Sequence, residues 1–175
     1  ESASGVPLSL NGIANYRVLN QDYYIAALYL PESIKSLTDQ EILSSPKSKQ
    51  MKLLVNAPHW SPRFWQNQWQ SDLDINNPNA TDDLLDQLTT FTHLLKSDLM
   101  AGDLVLFDYQ ENIGTHIYFN EQLMQSTKSM ELFNALLSTW IGKLPPSRYF
   151  KKRILSLNKD ELTQVNMQTL YTTIL

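Results

Sequence analysis

Residues 10–31, LNGIANYRVLNQDYYIAALYLP, constrain the fold more than any other part of the sequence. Asn11-Gly12 tolerates the positive φ angles of a turn or a bulge, and residues 20–22 have the composition of a hairpin tip. The apolar run 23–30 is too short to span a membrane, and it has the length of a strand buried on both faces. Pro31 ends the run because proline cannot donate to a strand ladder. These features predict a central β-hairpin.

Three longer helices are predicted from their capping residues and from the spacing of their apolar residues. Ser61 precedes a proline, which suits the first helical position because no N–H is needed there. Thr81 precedes two aspartates, which favour the positive end of a helix dipole. Ser129 begins the third helix and Gly142 ends it. We expect the core-facing residues to be Trp65, Trp69 and Leu73 of the first helix, Leu84, Leu85, Leu88, Phe91, Leu94 and Leu95 of the second, and Phe133, Leu136, Leu137 and Trp140 of the third.

The strands outside the hairpin are predicted to be short. Residues 6–10 form a first strand before the hairpin, and residues 50–56 form another strand after it. Residues 104–109, 115–119 and 122–126 alternate with turn residues, which is typical of an antiparallel meander.

Other segments have weaker helical patterns. A short helix is predicted behind Thr38, another after Pro145-Pro146-Ser147, and residues 158–175 continue as weakly helical. Strands, two helices, a meander and then helices, in this order, predict the α+β class, with one antiparallel sheet covered by helices on one face.

The length and composition predict one domain. With 175 residues, of which 42% are hydrophobic, the chain can bury a core without disulfides or metals. We assign residues 6–175 to this domain, and residues 1–5 to a disordered or processed N-terminal remnant. The chain contains no cysteine, which fits an oxidising compartment, so we expect a periplasmic or secreted protein whose signal peptide has been removed.

The charge pattern argues against two classes of partner. The net charge is −4, and the densest basic cluster, residues 151–153, is interpreted as a solvated helix face, so no nucleic acid is expected as a partner. No stretch approaches the ~20 apolar residues of a spanning helix, so we do not expect an integral membrane protein.

Common catalytic and metal-binding motifs are missing from the sequence. It has no Gly-x-Ser-x-Gly elbow, Walker loop, Gly-x-Gly-x-x-Gly or His-Glu-x-x-His. His59, His93 and His116 are widely spaced and have no acidic neighbour in sequence. We therefore predict neither a metal site nor a cofactor.

Two segments carry a family resemblance. Asn11-Gly12 with its hairpin leads into residues 26–31, AALYLP, and residues 133–142, FNALLSTWIG, are followed by Pro145-Pro146. With these segments the chain resembles the chalcone isomerase-like family, in particular its bacterial branch. The resemblance implies an open-faced β-sandwich, whose ligand cleft lies between the sheet and the helices.

The resemblance also implies site residues. Chalcone isomerases add a phenolate oxygen to a conjugated enone, which requires a cation for the phenolate and hydroxyl donors for the ketone oxygen. The family's arginine, four residues after the hairpin glycine, falls on Tyr16 here, and Arg17 should point to the opposite face. A family threonine falls on Tyr24, whereas Thr139 matches the pattern Leu-x-Thr-x-Ile-Gly. Tyr16, Tyr24, Thr139 and Arg17 are therefore the candidates for the ligand cleft.

Three functions remain open from the sequence. The first is a non-catalytic binder of a small apolar or amphipathic ligand, fatty-acid-like or aromatic. The second is an intramolecular lyase of the chalcone isomerase type with a rearranged active site. The third is a structural or partner-binding domain whose cleft is filled by its own side chains. Tryptophan is abundant in the predicted helices, and we interpret these side chains as packing onto the sheet rather than as ligand contacts.

Overall fold

The computed structural model describes residues 7–155, in which helices cover one face of an open six-stranded antiparallel sheet. The strands are β1 (Ser9–Val18), β2 (Gln21–Leu30), β3 (Lys49–Val55), β4 (His59–Trp60), β5 (Leu99–Met100), β6 (Leu104–Gln110), β7 (Gly114–Phe119) and β8 (Gln122–Thr127). The helices are α1 (Asp39–Ser44), α2 (Pro62–Asn76), α3 (Asp82–Thr92), α4 (Met130–Ile141) and α5 (Arg148–Ile154). The sheet order is β1-β2-β3-β6-β7-β8, and β4 pairs with β5 separately. This architecture confirms the predicted fold class.

The helices begin where their capping residues predict. The Ser61, Thr81 and Ser129 side chains each accept a hydrogen bond from a backbone N–H in the first turn of α2, α3 and α4. Thr38 and Glu41 form a complete capping box at the start of α1. Because these interactions are local, sequence alone specifies where each helix starts.

The first strand differs from its prediction. A separate strand over residues 6–10 is wrong, because β1 begins at Ser9 and continues through Asn11-Gly12 with a shift of register against β2. A Cβ atom on Gly12 would lie 2.3 Å from the carbonyl oxygen of Arg153, so glycine is needed where the backbone of α5 meets β1. The Asn11 side chain donates to the carbonyl of Ile154 at 2.9 Å. The pair thus forms a close contact between β1 and α5 rather than a turn.

Other corrections are small. The hairpin turns at Leu19-Asn20, and Gln21 already belongs to β2. Leu85 was expected in the core but is 45% exposed, and Leu95 is buried beyond the end of α3. The predictions for Val6, residues 1–5 and residues 158–175 lie outside the described residues.

Aromatic side chains fill the space between the sheet and the helices. Trp65 and Trp69 of α2 contact Phe91 of α3, and Trp69 also contacts Trp140 of α4. Phe107 supports Trp69 and Trp140 from β6. Each of these five side chains is at most 3% exposed. The interpretation of the tryptophans as packing residues agrees with this burial.

Candidate functional site

The hairpin strands place Tyr16 and Tyr24 directly opposite each other. Tyr16 of β1 pairs with Tyr24 of β2, and their rings stack in parallel with centroids 4.6 Å apart. Trp60 extends the stack on the far side of Tyr24, at 5.3 Å. Three aromatic rings therefore form a column that starts at the edge of the sheet, under the helices.

Both tyrosine hydroxyls are held by helix side chains. The Trp140 indole donates to the Tyr24 hydroxyl at 3.0 Å, and the Gln68 amide donates to the Tyr16 hydroxyl. Burial, followed by the charge of Asp72, raises the pKa of Tyr16, and burial raises the pKa of Tyr24 well above its ordinary value. Both side chains are therefore neutral phenols at physiological pH.

Arg17 is directed away from the tyrosine column. Its Nε donates to Oδ1 of Asp22 at 2.6 Å, and its Nη2 donates to Oδ2 of Asp22 at 3.1 Å. The Arg17 side chain is 59% exposed. The hydrogen bond from Arg17 lowers the pKa of Asp22. The charge of Arg17 is thus paired with Asp22 at the surface. Arg17 therefore does not supply, beside Tyr16, the cation that the family's arginine would provide.

Thr139, like Tyr24, is buried inside the protein. It is 4% exposed on α4, and its hydroxyl donates to the Leu136 carbonyl at 2.7 Å. This hydrogen bond within α4 occupies the single hydroxyl proton of Thr139, so the hydroxyl does not donate to a ligand at the same time. Its neighbour Trp140 contacts Tyr24, so the structure brings Thr139 near the column. A ligand contact by Thr139 or Tyr24 stays a prediction.

Two clefts meet at Tyr16. The edge cleft, about 400 Å³ in volume, lies at the free edge of β1, between residues 15–17 and the residues Tyr149, Phe150 and Arg153. The helix cleft, about 310 Å³, lies between β1 and α2 and is lined by Tyr16, Val18, Phe64, Gln68 and Asp72 among others. Tyr24 and Thr139 line neither cleft.

The two clefts differ in charge. Arg17 and Arg153 line the edge cleft, and no carboxylate is among its described lining residues. The helix cleft instead contains Asp72, whose pKa is raised by burial. An anion is therefore favoured in the edge cleft and disfavoured in the helix cleft.

A third depression lies on the opposite face of the sheet. This outer groove has a volume of about 530 Å³ and is lined by Lys52, Leu104, Leu106, Tyr118 and neighbouring residues of β6 and β7. It is larger than either cleft at Tyr16, but none of the four candidate residues lines it. Substitutions in the outer groove are therefore suitable controls for substitutions in the two clefts.

The described residues contain neither a metal-binding cluster nor a membrane-spanning helix. Within residues 7–155, no three histidine, aspartate or glutamate side chains come together as a metal site would require. His59 lies beside Asp98, at 3.4 Å, on the surface, and His93 ends α3. None of the helices in these residues is both long enough and apolar enough to cross a bilayer.

Comparison with known proteins decides the family. The model of the chalcone isomerase-like family matches residues 2–156, which is most of the chain. The chain belongs to the chalcone isomerase-like family. A solved structure with this fold, a fatty-acid-binding protein of Arabidopsis thaliana, aligns with 87% of this chain and 89% of its own, at a TM-score of 0.66 and 16% identity. No curated protein matches in sequence.

This chalcone isomerase-like protein has site features that sequence reasoning missed. Residues 151–153 were interpreted as a solvated helix face, which is wrong for Arg153, because that side chain is 2% exposed. Lys151 is also engaged, with Asp39 and with the Gly142 carbonyl. A usable signal existed in the spacing of Phe150, Arg153 and Ile154, which places all three on the buried side of α5.

Proposed function

We propose that this protein binds a small apolar or amphipathic molecule, fatty-acid-like or aromatic, in the clefts beside Tyr16, and that it does not isomerise it. Tyr16 carries the proposal. It occupies the position of the family's arginine, it is a neutral phenol, and it forms a wall of both clefts. A site with this wall can hold an apolar ligand but offers no cation at the place where ring closure needs one.

The dimensions and linings of the clefts support binding. Small-molecule sites typically occupy ~300–1,000 Å³ and combine apolar walls with a few polar groups. The edge cleft, at about 400 Å³, is within this range and offers the rings of Tyr16, Tyr149 and Phe150 together with Asn15 and Arg153. The Arabidopsis neighbour, a fatty-acid-binding protein by name, supports a ligand of the same class on the same fold.

The interior supports a ligand at the edge rather than in the centre. Trp65, Trp69 and Trp140 fill the space under the helices, which favours the alternative of a filled cleft for that region. The two clefts beside Tyr16 lie outside the region that these tryptophan side chains fill. We therefore place the ligand at the free edge of β1.

The bacterial branch of the family and a periplasmic or secreted location belong to the same proposal. Their support is the sequence resemblance and the absence of cysteine from the chain.

Binding is tested by titrating the native protein with cis-parinaric acid, a fluorescent fatty acid, and displacing it with decanoate. We expect saturable binding that Tyr149→Ala weakens roughly 2- to 10-fold, because an aromatic contact of the edge cleft is lost. Tyr118→Ala is the matched control, since it removes the same side chain from the outer groove. Binding that is lost in Tyr118→Ala and kept in Tyr149→Ala would contradict the proposed site.

A further inference from the structure

We propose that Arg153 is the anion-binding residue of the edge cleft, and that the ligand is therefore a carboxylate with an apolar body. This inference rests on the proposed function and names the chemical class of its ligand. Nothing in the sequence pattern assigns Arg153 to the site, because the family's cation is expected on β1 and Arg153 lies on α5.

The first support is a buried guanidinium whose two terminal nitrogens have no partner among the described residues. Arg153 is 2% exposed, and within residues 7–155 neither Nη1 nor Nη2 has a hydrogen-bond partner. Its guanidinium carbon lies 5.9 Å from the centre of the Tyr149 ring, which is a weak contact for a full charge. Burying charged N–H groups without partners is strongly unfavourable, so these two nitrogens favour an anion.

The second support is that nearby carboxylates are already paired. Asp22 pairs with Arg17 and accepts a hydrogen bond from Asn15. Asp39 pairs with Lys151, which lies on α5 as Arg153 does. These pairs leave no described carboxylate on the wall of the edge cleft. No carboxylate of the described residues therefore compensates Arg153, and the cleft that Arg153 lines is the place where a ligand anion would meet it.

The third support is that the position of Arg153 is fixed. Ser147 caps α5, and Phe150 and Ile154 are buried beneath it. The carbonyls of Arg153 and Ile154 press against Gly12, where a Cβ would lie only 2.3 and 2.5 Å away. The backbone of α5 is therefore seated directly on β1, which holds Arg153 on the wall of the edge cleft that Tyr16 and Asn15 also line.

The chemistry of these groups selects the ligand. Two unpartnered guanidinium nitrogens can donate in parallel to both oxygens of one carboxylate, which is the preferred geometry of this pair. The rings of Tyr16, Tyr149 and Phe150 then face the apolar body. The Asn15 side-chain oxygen is also buried and has no partner among residues 7–155, and it can accept from a hydroxyl group on the ligand.

The test compares decanoate with decanol, which has the same chain and no charge, by calorimetric titration of the native protein, Arg153→Met and Arg153→Lys. We expect the native protein to prefer decanoate by about 10- to 100-fold, because charge-assisted hydrogen bonds are the strong ones. Arg153→Met should remove this preference, and Arg153→Lys should keep part of it. A parallel titration with 4-phenylbutyrate distinguishes an aromatic from an aliphatic body.

Thermal unfolding supplies an independent readout. Without ligand, Arg153→Met should melt no lower than the native protein, because a buried charge is removed, and decanoate should raise the Tm of the native protein more than that of Arg153→Met. A large loss of Tm in ligand-free Arg153→Met, or failure of that variant to fold, would show a structural role and overturn the inference. Preference for decanoate retained in Arg153→Met would also overturn it.

The outcomes separate the inference from the proposed function. If the native protein binds none of the three probes (decanoate, decanol and 4-phenylbutyrate), the proposed function fails and the inference fails with it. If the native protein binds decanoate and decanol equally well, the proposed function stands and only the role of Arg153 is rejected.

Discussion

The native protein is not expected to accelerate the cyclisation of a chalcone above its spontaneous rate. Ring closure requires a cation at the phenolate oxygen, and the sequence resemblance predicts that Tyr16 stands in the family position for that cation, where its raised pKa keeps it a neutral phenol. Arg17 is paired with Asp22 at the surface. Loss of one charge-assisted contact in a water-excluded site lowers the rate ~100- to 1000-fold, judging by the removal of single oxyanion donors.

The assay follows chalcone absorbance with native protein, Tyr16→Arg, Arg17→Ala and Arg153→Met. Tyr16→Arg restores a cation at the family position, so it measures how much of the deficit that one charge accounts for. If the native protein turns over the chalcone rapidly, and Arg17→Ala or Arg153→Met abolishes this turnover, the proposal of a non-catalytic binding protein is rejected. This result would establish the alternative, an intramolecular lyase with a rearranged active site.

Replacing Leu88 with alanine is expected to destabilise the protein by roughly 2–5 kcal/mol, because a cavity remains where close packing existed. Leu88 lies on the buried face of α3 and is 6% exposed. The matched control is Leu85→Ala on the same helix, where the side chain is 45% exposed. That control should change the free energy of unfolding by less than about 0.5 kcal/mol.

Urea unfolding followed by tryptophan fluorescence measures both variants. Equal destabilisation by Leu88→Ala and Leu85→Ala would mean that the buried face of α3 is assigned to the wrong side of the helix.

The parts of the fold that sequence predicted are those that local interactions determine. Ser61, Thr81 and Ser129 satisfy backbone donors in the helices that they begin, and a window of four residues contains each cap and its donor. Strand alternation likewise placed Tyr16 and Arg17 on different sides of β1. The predicted hairpin tip was displaced because Leu19 adopts a positive φ of 53°, which composition does not favour for leucine.

The missed residues depend on packing between distant parts of the chain. Arg153 is buried because the backbone of α5 lies against Gly12, and this contact joins residues far apart in sequence. Lys49 is a similar case. Its ammonium donates to the carbonyls of Ile42 and Ser45 and to Asn134, and burial lowers its pKa to about 8. The charge of both side chains favours a solvent-facing position, and only tertiary partners decide whether a charge is buried.

The position of the ligand tests the central claim most directly. The measurement is photolabelling of the native protein with a diazirine analogue of decanoate, followed by mass spectrometry of the labelled peptides. The account predicts labelling at Tyr16, Tyr149 and Phe150, which line the edge cleft, and competition by unlabelled decanoate. Competed labelling at Leu106 and Tyr118 of the outer groove, with residues 146–153 unlabelled, would contradict it.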